Sequence, residues 1–170
     1  MSEIAAAREE IELVRALPRL RRFAVTLTRN AADADDLVQE TCEKVMTKAH
    51  LRPPQARFDS WVYTMMRNIW IDEIRKRKVR TGKGLVDAGE LDELSMPAAG
   101  EDAVYTTQLK AMIQSMPEGL ASVFVLVNVE GHSYREAADI LQIPIGTVMS
   151  RLSTARLRLA DMAGLNRKVA

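Results

Sequence analysis

Cysteine is almost missing from this chain: Cys42 stands alone, which excludes an internal disulfide, and with two histidines at no ligand-like spacing it gives no zinc signature. Long apolar runs are missing as well. The longest, at 123–127, falls far short of the roughly 18 residues a membrane span requires. The N-terminus lacks the cationic start and apolar core of a signal peptide and carries Glu3, Glu9 and Glu10 instead. A cytoplasmic protein with no membrane insertion is expected. Paired carboxylates, a nucleophile beside a base and a phosphate-cradling glycine loop are all lacking, which argues against an enzyme and calls for no cofactor. Aromatic residues make up only 5%, so where each one falls is informative. No internal repeat or low-complexity tract is visible.

What is present is a chain of 170 residues, 47% hydrophobic, enough for packed cores in one domain or two small ones. Its net charge of +1 hides a segregation: 16 basic and 12 acidic residues in 1–80, one and six in 81–102, then seven and five. Two mildly basic blocks around an acidic connector suit a nucleic acid touched at two places, although charge on this scale is equally common on solvated surfaces.

The plainest local signal lies at 133–159. Ser133 followed by Glu136 is a capping box, in which hydroxyl and carboxylate each take an unpaired amide of a first helical turn. Ala137, Ile140 and Leu141 then share a face, Pro144 should end that helix, and Gly146 and Thr147 should open the next. Val148, Leu152, Ala155 and Leu159 recur at helical spacing, leaving Met149, Ser150, Arg151, Ser153, Thr154 and Arg156 to face outward. Such a helix-turn-helix can lay its second helix in a DNA major groove. An ordinary helical hairpin with a solvated face fits the same spacing.

Upstream, Ile11, Val14, Leu17, Leu20, Phe23, Ala24 and Leu27 mark a helical stripe, with Pro18 either starting a second helix or kinking one. Residues 32–50 form an amphipathic helix with Leu37, Val38, Thr41, Cys42, Val45, Met46 and Ala49 inward. Asp36, Gln39, Glu40 and Glu43 face outward, as a binding face or a solvated one. Pro53 and Pro54 impose a loop over 51–59, and Asp59 or Ser60 caps a helix over 61–80. That helix buries Val62, Met65, Met66, Ile69 and Ile74 and ends in Arg75, Lys76, Arg77, Lys78 and Arg80. It also carries Trp61, Tyr63 and Trp70. Rings beside cations suit single-strand binding, but they equally suit a core flanked by dipole-satisfying cations.

Glycines and acids make 81–102 a linker. A short helix from about Asp102 should carry Val104, Leu109, Met112 and Ile113 to Met116, and Pro117 should start another through 120–129. The run 123–127 would pass for a strand in isolation; helical neighbours and the lack of a pairing strand make it helix.

Three stretches in order, DADDLVQETCEKV at 33–45, FDSWVYTMMRNIWIDEIRKRK at 58–78 and SMPEGLASVFVLVNVEGHSYREAADILQIPIGTVMSRL at 115–152, resemble bacterial RNA polymerase sigma factors of the extracytoplasmic-function (ECF) group. The resemblance implies an all-α chain of two small helical domains: a sigma domain 2-like bundle at 1–80 and, beyond the linker at 81–102, a sigma domain 4-like helix-turn-helix at 103–170. It implies that Asp35, Asp36, Gln39, Glu40 and Glu43 dock on the beta-prime clamp helices of core RNA polymerase, with the beta flap as a second polymerase contact. Residues 51–60 would hold a flipped base of the melted minus-ten element, with Trp61, Arg67, Asn68, Asp72, Arg75, Lys76 and Arg77 along the following helix. The minus-thirty-five duplex would meet Thr147, Met149, Ser150, Arg151, Ser153, Thr154 and Arg156. An anti-sigma factor would hold the protein inactive.

The chain departs from the family pattern at three positions. Met149 and Thr154 stand where the family usually or often has a basic residue, which weakens phosphate attraction. Gln142 replaces the small turn residue, commonly Gly, before Ile143 and Pro144. Met149 and Thr154 leave room for a sigma-like mimic that sequesters an anti-sigma protein without binding DNA. A helix-turn-helix repressor is a further alternative, although it leaves the first 80 residues unexplained.

Overall fold

The computed structural model describes residues 3–82 and 101–165, with side chains from 107 onward in the second stretch. The first helix, α1, runs Glu3–Thr28 with Pro18 inside it, so Pro18 starts no second helix. A proline there removes the bond to the Val14 carbonyl, and Val14 is exposed, leaving that carbonyl to water. The buried residues Leu13, Ala16, Leu20, Phe23, Ala24 and Leu27 step by three and four. In that phase Ile11 and Val14, expected on the stripe, point away and are exposed.

Arg29 turns the chain in the left-handed region, φ 57°, and Asn30 caps α2 (Ala31–Lys48) by accepting from the Asp33 amide at 2.9 Å. The expected helix over 32–50 therefore stops earlier, and Ala49–Leu51 tightens into a 3₁₀ turn. Leu37, Thr41 and Val45 are buried, but Met46, expected inward, is 64% exposed. Cys42 is half-buried; burial first, then neighbouring Glu43, pushes its thiol up.

After the proline loop, α3 spans Phe58–Thr81, three residues earlier than expected, with Arg57 rather than Asp59 or Ser60 at the cap position. Gly82 closes it with φ 61° and its N–H on the Lys78 carbonyl at 3.2 Å. Tyr63 and Trp70 are buried. Tyr63 meets Phe23 edge to face at 5.2 Å, so these two rings belong to the core and not to a stacking surface. Burying side chains such as Leu20, Phe23, Val62 and Met66 stabilises this three-helix unit by about 1.5–3 kcal/mol each.

The chain divides into two compact units, α1–α3 forming the first. The second contains α4 (Glu101–Ser115), α5 (Glu118–Phe124), α6 (Tyr134–Leu141) as far as Ala138, and α7 (Ile145–Met162). Most of the linker expected over 81–102, and the side chain of Val104, lie outside the described residues. Ile113 and Met116 are buried as expected, whereas Leu109 is exposed. The run 123–127 is helical, but from Val125 to Val129 the helix widens to i→i+5 bonding, with the Glu130 N–H on the Val125 carbonyl at 2.9 Å.

The capping box forms in both directions. The Ser133 N–H donates to Glu136 Oε2 at 2.8 Å, and the Glu136 N–H donates to Ser133 Oγ at 3.1 Å. Pro144 is not what ends α6. Gln142 enters the left-handed region, φ 52°, and the Ile143 N–H reaches the Ala138 carbonyl at 3.1 Å, a Schellman closure. Pro144 instead occupies the cap position of α7, its carbonyl accepting from Thr147 and Val148.

Candidate nucleic-acid interface

Helical geometry sorts the expected strand-reading residues of α3 into two groups. Trp61, Asn68, Asp72 and Arg75 recur at steps of seven, four and three, so they line one face over about 21 Å. Asn68, Asp72 and Arg75 are exposed and Trp61 is half-buried, its ring 6.4 Å from that of Phe58. Arg75 pairs loosely with Asp72 at 3.4 Å, an exposed contact that DNA can displace at small cost. Lys76 is exposed beside this face, and Arg67 is half-buried at its edge.

Arg77 lies on the other side, in line with Trp70 and Glu73. Its guanidinium makes two bonds of 3.0 Å to the carboxylate of Asp33 on α2 and one of 2.8 Å to Glu73, and it sits 5.2 Å from the Trp70 ring centroid. The hydrogen bonds to Asp33 and then Glu73 push its pKa up, and the bond from Arg77 holds the Glu73 carboxyl below its ordinary value. Sequence grouped Arg77 with the DNA-facing cations. In the fold its donors serve to tie α3 to the start of α2.

The loop at 52–57 leads into this face. Arg52 donates to the Ala56 carbonyl at 3.0 Å and to Glu9 of α1 at 2.9 Å, with its guanidinium 5.8 Å from the Phe58 ring centroid. The pairing of Glu9 with Arg52 could not be read from the sequence, because the two lie 43 residues apart.

On α2 the outward face forms as expected. Asp36, Gln39, Glu40, Glu43, Lys44 and Thr47 line an open groove, with Lys44 bonded to Glu40 at 2.8 Å and Gln39 to Glu43 at 3.3 Å. Asp35 is exposed but bonded at 2.8 Å to Arg21 of α1.

In the second unit Val148, Leu152 and Ala155 are buried, which fixes the outward line of α7. That line carries Ser150, Ser153 and Thr154, together with Leu157, an exposed residue the sequence reading did not single out. The Ser150 and Thr154 hydroxyls donate to the Thr147 and Ser150 carbonyls of their own helix. Thr147 and Arg151 fall on one flank, half-buried; a Cβ added at Gly119 of α5 would lie 3.1 Å from Arg151 Nη1. Met149, 54% exposed, and Arg156 fall on the other flank, where Arg156 donates to Asn128 at 3.2 Å. The centre of the expected groove-reading surface is therefore hydroxyl and apolar, with its cations at the edges.

Among the described residues no helix is long and apolar enough to cross a membrane, and no cluster of metal-ligating side chains occurs.

Comparison with known proteins accounts for both units. Residues 13–80 match the sigma-70 region 2 family and residues 106–159 the sigma-70 region 4 family. The chain is 31% identical over 153 residues to the ECF RNA polymerase sigma factor EcfG of Rhodopseudomonas palustris, covering 89% of this chain and 82% of that protein. It is 32% identical over 167 residues to the ECF RNA polymerase sigma factor SigL of Mycobacterium tuberculosis, covering 92% and 94%. Among solved structures, the sigma factor RpoE of Bartonella quintana, crystallised with the anti-sigma factor NepR, superposes with a TM-score of 0.77 at 28% identity, over 91% of this chain and 96% of that one. With both of its helical units matched in order and relatives above 30% identity over most of their length, the chain belongs to the ECF group of RNA polymerase sigma factors.

Proposed function

We propose that this ECF sigma factor recruits core RNA polymerase through the outer face of α2 and opens promoters through α3. The face of Trp61, Asn68, Asp72 and Arg75 carries this reading. Polar edges, one ring and a displaceable cation in a single line can offset the few kcal/mol that unstacking a base costs, and only a strand that has left the duplex can reach them. Residues 1–80 act as the polymerase and minus-ten module, 81–102 as the connector and 103–170 as the minus-thirty-five module. Two weak anchors on one chain gain affinity through effective concentration, which suits an α7 whose outward line lacks cations.

The chain supplies binding and positioning, and the bond-making chemistry belongs to the polymerase. The setting is cytoplasmic. The Bartonella relative was crystallised with an anti-sigma factor, and we assign this chain the same kind of restraint, a protein partner that covers the α2 and α7 faces until a signal releases it.

Reconstitution tests the proposal. Mixed with core polymerase, the protein should form a stable complex and direct transcripts from a restricted promoter set, with minus-ten thymines becoming permanganate-reactive. Asn68→Ala should lower that reactivity while the complex persists. Absence of a complex with core would remove the reading. A complex with an anti-sigma protein but none with promoter DNA would favour the sequestering mimic, which the cation-poor line of α7 supports.

A further inference from the structure

The first turns of α1 lie outside the segment matched to the sigma region 2 family, which begins at residue 13. From Glu3 to Arg8 every residue is exposed, and Glu9 is the first drawn inward. What draws it is Arg52, at the head of the loop that leads into the proposed strand-reading face of α3. The Arg52 Nη2 donates to Glu9 Oε1 at 2.9 Å, the two side chains being 27% and 15% exposed.

The same guanidinium closes the loop on itself. Its Nη1 donates to the Ala56 carbonyl at 3.0 Å, while the Arg52 N–H bonds to the Ala49 carbonyl at 3.1 Å and the Ala56 N–H to the Pro53 carbonyl at 2.9 Å. Pro53 and Pro54 stiffen their own φ angles, but not those of the two residues that follow. The bond from Arg52 to Ala56 spans that stretch, and the bond to Glu9 pins the whole loop to α1.

We infer that Glu9 and Arg52 are positioning residues that hold the 52–57 loop in its receiving shape before DNA arrives. The inference rests on the proposed reading of the α3 face into which that loop leads. A loop ordered in advance binds without the entropic cost of ordering on contact. It also gives Arg52 a task distinct from phosphate attraction, because its charge is matched by Glu9. The two roles predict opposite signs. Were Arg52 a phosphate contact, neutralising Glu9 would strengthen strand binding; as half of a clasp, losing Glu9 must weaken it.

The experiment compares full-length wild type with Glu9→Gln, Arg52→Gln and the charge exchange Glu9→Arg with Arg52→Glu. Trypsin cleavage after Arg57 reports loop order independently of transcription. Glu9→Gln should raise that cleavage rate by roughly five- to tenfold. With core polymerase, it should reduce affinity for a single-stranded minus-ten oligonucleotide by a similar factor and leave the affinity for core unchanged. The exchange restores the pair with residue 9 but not the donor to the Ala56 carbonyl, so it should recover part of both losses relative to Arg52→Gln. Unchanged cleavage in a folded Glu9→Gln protein, or tighter strand binding, would overturn the clasp. If Arg52→Gln also lowers the melting temperature, Glu9→Gln still decides the matter, since it neutralises one carboxylate and leaves the packing of Arg52 on Phe58 intact. Failure of the wild-type protein to bind core would instead count against the proposed function, while the cleavage rates would still judge the clasp.

Discussion

The two helical units are held in shape by different means. In the first, long-range charge pairs join elements far apart in sequence: Arg77 to Asp33, Arg52 to Glu9, Arg21 to Asp35 and Arg19 to Asp59. In the second, the bonds that shape the helix-turn-helix itself are local, namely the Ser133–Glu136 box and the turn from Ala138 to Ile143, with Arg156 to Asn128 a longer reach at its edge. A surface that presents the proposed polymerase face on α2 and the proposed strand-reading face on α3 at a fixed relation needs cross-links between helices. A hairpin that lays one helix against duplex needs chiefly a defined turn. On this view the arginines of the first unit are divided between building the module and touching DNA, and their number overstates its DNA contacts.

Removing a cross-link should produce the largest effect. Asp33→Ala leaves Arg77 with half its partners, and an exposed-to-half-buried charged bond pair of this kind is worth about 1–2 kcal/mol. Denaturant unfolding of the full chain should show that loss, while Arg75→Ala should leave stability within about 0.5 kcal/mol. DNA binding should respond the other way round. Arg75→Ala should lower the salt slope for a single-stranded oligonucleotide by about 0.7. Arg77→Ala should leave that slope as in wild type; an equal fall in both would return Arg77 to the DNA contacts.

A smaller effect is expected at the local end of the comparison. Ser133→Ala removes the cap oxygen of α6 and should cost about 1 kcal/mol in the second unit. Amide exchange should show the loss confined to the helix-turn-helix, with protection in α1–α3 unaltered. Loss of protection spread over both units would dissolve the contrast between local and long-range fastening.

The same contrast explains what could be read from the sequence. Ser133, Glu136 and Pro144 act within a few residues of themselves, so the hairpin and both of its helices were legible, although Pro144 proved to start α7 and not to stop α6. The outward face of α2 was legible because four polar residues keep helical spacing. Met46, Ile11 and Val14 were misplaced because a stripe read by apolarity alone has no fixed phase until the neighbouring helices choose one. Arg77 and Arg52 were unreadable in role: a guanidinium at a helix end looks the same in sequence whether it faces DNA or a carboxylate some 44 residues away. Tyr63 and Trp70 failed as stacking candidates for a like reason, since helical phase put them inside.

The smallest expected effect falls on the turn that departs from the family pattern, and it has the opposite sign to the others. Gln142 holds φ 52°, a region where a Cβ crowds the following carbonyl and which glycine enters freely. The Schellman bond from Ile143 to Ala138 depends on that conformation, so Gln142 carries the strain to keep the turn. Gln142→Gly relieves it, at the expense of a more mobile unfolded chain, and should leave a net gain of about 0.5–1 kcal/mol. Gln142→Ala, which keeps the Cβ, should show no such gain. If both substitutions stabilise equally, the strain lies in the longer side chain and not in the backbone. A turn under strain can be kept where its geometry is needed, and Gln142→Gly also tests that use: it should raise stability without altering the spacing of α6 and α7, so DNA-directed activity should hold.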